Sequence, residues 1–160
     1  MMNARRSVIL LISVICVISC STTRRPGQSG ADSGGQSRTH LVAHPQDVVW
    51  SVVQAYMAER KWPLAETNQD KGLIRSGSFQ LDASRDYAHC RSGRRSTVSR
   101  YEAELTMELR RVSANGTNLT VRSRMTAISD NGRNSDCYST GALEDEMVAG
   151  IDSLVAVWRK

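Results

Sequence analysis

Arginine is the most concentrated chemistry-bearing side chain in this chain of 160 residues. Arg85, Arg91, Arg94, Arg95 and Arg100 lie close together, with Asp86 as the one acid among them. Guanidinium groups bind phosphate and carboxylate bidentately, so Arg91, Arg94 and Arg95 form a candidate anion-binding set. Lipid phosphate, lipopolysaccharide or an acidic partner would suit it, and a solvated loop is the competing reading. No aromatic platform interleaves with Arg91, Arg94 and Arg95, so the stacking surface of a nucleic-acid binder is missing. A metal centre needs three or four convergent ligands. His40 and His44 are four apart but run into Pro45, and no CxxC pair accompanies His89. The chain therefore offers no metal site. It also has no phosphate-binding loop, nucleophile elbow or dinucleotide fingerprint. Asp145 and Glu146 are explained by the start of a helix, where carboxylates complement the dipole. No residue is assigned to catalysis, no cofactor is implied, and the protein is read as a non-enzyme.

Of the four cysteines, Cys16 lies within an N-terminal leader and Cys20 directly after it. Arg5 and Arg6 precede an apolar run, Val8 to Ile18, which is of signal-peptide length and too short to span a bilayer. The run ends Val17-Ile18-Ser19-Cys20, which resembles the lipobox of bacterial lipoproteins. The resemblance implies cleavage before Cys20, a diacylglycerol thioether on its sulfur and acylation of its amine, with residues 1–19 as signal peptide. Two or three acyl chains hold a soluble domain at a bilayer where one would not. Ser21, rather than Asp, follows the cysteine, which by the same resemblance implies sorting to the outer membrane. Residues 20–38 then read as the lipidated cysteine and a flexible tether. Its Gly, Ser and Pro content leaves Ala31 as the lone apolar side chain after Cys20, too little to offset ordering entropy.

Cys90 and Cys137 are left in an oxidising compartment, where two remaining cysteines read as a disulfide. Their alternatives are free thiols or a metal site with His89. Closing the loop of residues 90–137 is worth up to about 4 kcal/mol in the loop-entropy model.

Residues 39–160 form the folded domain. Leu41 to Ala43 reads as a strand centre, and Pro45 opens a helix. Val49, Val52, Val53, Tyr56 and Met57 keep helical spacing, with Trp50 widening the apolar face and Pro63 stopping the helix. Leu64 to Thr67 and Leu73 to Gln80 read as strands around an Asn68–Gly72 turn, with Gly77 marking a bulge or close approach. Arg100 to Arg110 and Thr117 to Ile128 alternate strictly, which predicts a hairpin through Asn115-Gly116. Matching their apolar faces pairs Met107 with Val121 and Glu104 with Arg124. Ser139 or Thr140 can cap a last helix whose stripe is Leu143, Met147, Ile151, Leu154 and Trp158, with Val155 beside it. The expected fold is α+β: a two-layer sandwich whose antiparallel sheet of about five strands is covered by an N-terminal and a C-terminal helix.

The opening strand, Val49-Trp50, the turn into Leu73-Ile74 and the closing helix together resemble the helix-grip modules of BamC-type lipoproteins, accessories of outer-membrane β-barrel assembly. The resemblance implies a lipid-anchored, periplasm-facing interaction module with an envelope protein as partner. The alternative is a carrier or sensor that holds a small apolar or lipid ligand between helix and sheet.

Charge narrows the choice. The pI is about 9.3, yet Arg5, Arg6, Arg24, Arg25 and Arg38 all precede the domain, where Asp32 is the lone acid. The domain is nearly neutral, so the basic pI is no argument for nucleic acid.

Overall fold

The computed structural model describes residues 36–90 and 98–158. The chain divides into two units, Met1–Ala31 and Asp32–Lys160, and every described residue lies in the second. The signal peptide, Cys20 and the arginines Arg91, Arg94 and Arg95 lie outside the described residues.

The elements run β1 (Ser37–Val42), α1 (Gln46–Glu59), β2 (Leu64–Asn68), β3 (Leu73–Ser76), β4 (Phe79–Asp82), β5 (Ala88–Cys90), β6 (Val98–Ser113), β7 (Gly116–Ser129), β8 (Asn134–Ser139) and α2 (Ala142–Val157). The α+β class and the two helices agree with expectation, but the antiparallel sheet has eight strands, not about five. Three strands are additional. The Leu73–Gln80 run breaks at Gly77, whose N–H donates to the Pro63 carbonyl at 2.8 Å. A Cβ there would press on the Pro63 ring at 3.3 Å. The run thus becomes β3 and β4, which pair with β6 in registers one residue apart. The short strands β5 and β8 carry no apolar alternation to betray them. β1 begins at Ser37, two residues before the compositional boundary of the domain, because its polar side chains fit a sheet whose ladder is already built.

The long hairpin β6–β7 is the spine. Met107 pairs with Val121 and Glu104 with Arg124, in the register expected from the apolar faces. The turn is made by Ala114 and Asn115, closed by Ser113 opposite Gly116, one residue earlier than an Asn-Gly turn would place it. A Cβ on Gly116 would lie 2.7 Å from Ser113 Oγ, so this glycine serves close approach.

Each flank of the spine is shared by two strands. β3 and then β4 line β6; β1 and then β8 line β7. Where one flanking strand gives way to the next, the ladder has a gap, and a side chain fills it. Ser76 Oγ accepts from the Leu105 N–H at 2.7 Å. On the other side Glu144 Oε1 accepts from the Ser123 N–H at 3.1 Å and from Ser123 Oγ at 2.6 Å. Leu105 and Ser123 are directly paired, so both substitutions occur at one level of the sheet.

Both helices lie on the apolar face of the sheet. Val49, Val52, Val53 and Met57 of α1 meet Leu143, Met147 and Ile151 of α2 over Leu105, Met107, Leu109, Leu119 and Val121 in one core. Pro45 precedes α1 as expected. Arg60 ends it, and Lys61 then adopts φ 57°, a left-handed turn more usual for glycine. That turn sends the chain back, so that Trp62 stacks on Phe79 at 4.4 Å and meets the Tyr56 edge at 5.9 Å. The buried stripe of α2 is Leu143, Met147, Ile151 and Val155, a strict four-residue spacing. Leu154 is only partly buried, and Trp158 is exposed because the helix ends at Val157.

Candidate functional site

No described residue covers the face of the sheet away from the helices, and β-pleating decides what it displays. The alternation that buries Leu105 and Met107 turns Glu104, Thr106, Glu108 and Arg110 of β6 outward, with Arg122 and Arg124 of β7 beside them. Pairing of β3 with β6 brings Leu73 and Arg75 into the same surface. The result is a trough of about 690 Å³ lined by Lys71, Arg75, Glu104, Glu108, Arg110, Arg122 and Arg124 around Thr106.

Register sets the geometry. Arg75, Thr106 and Arg122 form a straight row across three strands. The Thr106 hydroxyl is thus flanked by two guanidinium-bearing positions, roughly 10 Å apart at the usual strand spacing. Five cations line the trough against two carboxylates. Arg75 is engaged by Glu66 on β2 at 3.2 Å and Arg110 by Glu108 at 3.4 Å. Lys71, Arg122 and Arg124 make no ion pair among the described residues. Glu104 and Arg124 face each other in register without closing to ion-pair distance. The cationic excess gives this surface the chemistry to attract anions, and its lining contains no histidine or cysteine.

A second polar cluster ties α2 to the loops before β5 and after α1. Glu146 accepts from Tyr87 Oη at 2.7 Å, Arg85 Nη1 at 3.0 Å and Arg60 Nη1 at 2.8 Å. Burial alone would raise the Glu146 pKa. Hydrogen bonds from Tyr87 and Arg60, with the charges of Arg60 and Arg85, outweigh it and hold the carboxyl below its ordinary range. Burial, followed by the bond to Glu146, pushes the Tyr87 phenol up. Burial also raises Tyr56, opposed by Arg60, whose guanidinium lies 5.1 Å from the Tyr56 ring centre. Tyr56 Oη is buried without a hydrogen-bond partner among the described residues.

A shallower groove of about 470 Å³ follows the seam of β1 and α2, where His40 meets Asp152 at 2.9 Å.

Cys90 and Cys137 are joined in a disulfide. They sit directly opposite each other on β5 and β8, so the bridge links two paired strands rather than two loops. Their Cα separation of 4.2 Å fits a pair without mutual backbone hydrogen bonds. Among the described residues no group of His, Cys, Asp and Glu is arranged to hold a metal ion. Asp145, read as a helix-dipole residue, also accepts from Arg38 at 2.8 Å.

The trough was not apparent from the sequence. Its β6 and β7 members follow from the alternation, but Lys71 and Arg75 join them only through the pairing of β3 with β6.

No family model matches the chain. No curated protein matches it either. Among solved structures it is similar to a DUF4468 family protein from Bacteroides ovatus, at 10% identity and a TM-score of 0.40. The match covers 63% of this chain and 58% of that one. At that level the likeness assigns neither fold family nor function.

Proposed function

We propose that this protein is a lipid-anchored interaction module of the bacterial envelope, non-catalytic, held at the outer membrane and facing the periplasm. Its partner is another envelope protein, and its docking surface is the uncovered sheet face. One observation carries the docking reading: the two faces of the sheet are used differently. On the helix side Met57, Leu105, Met107, Val121, Met147 and Ile151 are each no more than 1% exposed, so side chains fill the layer where a carrier would hold its ligand. The opposite face keeps unpaired cations in a concavity. This favours docking over carriage.

The anchor rests on Cys20 and the leader before it. Replacing Cys20 with Ala is expected to move the protein out of the alkaline-washed membrane pellet. Persistence of the variant in that pellet would defeat the anchoring.

A further inference from the structure

The trough has a charge pattern that selects among anionic partners. Arg122 and Arg124 are two residues apart on β7, so their side chains project from one face about 6.8 Å apart. Carboxylates on alternate residues of an extended peptide have that same repeat. Glu104 and Glu108 stand two residues on either side of Thr106, Glu104 opposite Arg124 and Glu108 opposite Leu73 and Thr120. A continuous anionic surface would be forced against both carboxylates. A peptide can place its acids only where cations stand. Shape argues the same way, since a bilayer plane cannot reach the floor of a trough whereas a strand can lie along it. An apolar lip completes the surface toward the hairpin tip. Leu41 shares a row with Asn118 and Arg110 and is 58% exposed, and Val112 is 53% exposed nearby.

We infer that the trough receives an extended acidic segment of a partner protein, carrying carboxylates on alternate residues and an apolar residue toward the Leu41–Val112 lip. This rests on the docking reading above. It specifies the partner's chemistry: Arg122 and Arg124 take successive carboxylates, Thr106 donates its hydroxyl between the rows, and Glu104 and Glu108 exclude uniformly anionic ligands.

The test uses the full-length protein in nonionic detergent and a fluorescein-labelled ten-residue peptide of alternating Glu and Thr, read by fluorescence anisotropy. Arg122→Glu/Arg124→Glu is expected to weaken binding at least tenfold while lowering the thermal midpoint by only a few degrees, since both side chains are exposed and the one new like-charge pair is with Glu104. A Lys-Thr peptide is expected not to bind. Binding that survives the double substitution, or no binding of the acidic peptide by the native chain, overturns the inference. Displacement of the peptide by glycerol phosphate, where chloride of equal ionic strength has no effect, would assign the trough to lipid headgroups and also overturn it. Should the double variant bind normally while Cys20→Ala still leaves the membrane, the trough assignment alone fails.

Discussion

Glu144 is the residue whose role is least visible in the sequence. Among Glu144, Asp145 and Glu146 it reads as one more acid at a helix start, yet its side chain is fully buried. Oε1 takes the Ser123 N–H and hydroxyl, and Oε2 takes the Ser139 hydroxyl at 2.7 Å; Ser139 Oγ in turn accepts from the Gly141 N–H. The carboxyl therefore replaces a missing strand partner and fixes the start of α2 against β7 and β8. Glu144→Ala strands these donors in the interior and is expected to cost about 3 kcal/mol in urea unfolding, with Glu144→Gln costing less. An equal, near-zero cost for both would remove Glu144 from the ladder. Glu146 makes a different prediction. Its folded pKa is lowered, so its stabilisation is complete above the ordinary glutamate range and is lost as pH falls through the folded value. Glu146→Gln should flatten the acid-side fall of the urea midpoint between about pH 6 and pH 3. An unchanged slope would mean that Tyr87, Arg85 and Arg60 do not hold the carboxylate ionised.

At the scale of elements, local periodicity was a good guide wherever burial was one-sided. β6 and β7 alternate so strictly that a slip of one residue would bury Glu102, Glu104 and Glu108, and the register is the expected one. α1 is equally legible from Val49, Val52, Val53, Tyr56 and Met57. β5 and β8 are not, because Ala88-His89-Cys90 and Asn134–Ser139 owe their extended form to neighbours rather than to apolar spacing. Their pairing does leave one trace in the sequence, the cysteines. Among the described residues β5, three residues long, pairs with β8 alone, and the disulfide ties its last residue to that strand. Replacing both cysteines with Ser should cost about 2–4 kcal/mol. Hydrogen exchange should speed up at Ala88 and His89 while β6 and β7 stay protected. Uniform loss of protection would mean that β5 is integral to the core.

For the whole molecule, the two faces of one sheet divide the labour. The helix side spends its surface on a filled core, and the other side holds a trough in which Lys71, Arg122 and Arg124 make no ion pair among the described residues. The first property was readable from sequence, since apolar stripes on α1, α2, β6 and β7 have to meet. The second was not, because Lys71 and Arg75 are far along the chain from Arg110, Arg122 and Arg124, and only strand pairing through β6 brings them together. Along the sequence, Arg91, Arg94 and Arg95 form the local cluster of cations. The trough gathers a comparable charge from three strands and the turn between β2 and β3. The most direct measurement is in-cell photocrosslinking from a benzophenone side chain at Thr106, on the trough floor, against one at Ala149, on the exposed side of α2. A discrete envelope-protein adduct is predicted from Thr106 and not from Ala149, and it should vanish with Arg122→Glu/Arg124→Glu. Equal adducts from both positions, or an adduct at Thr106 indifferent to that double substitution, would contradict docking through the uncovered face.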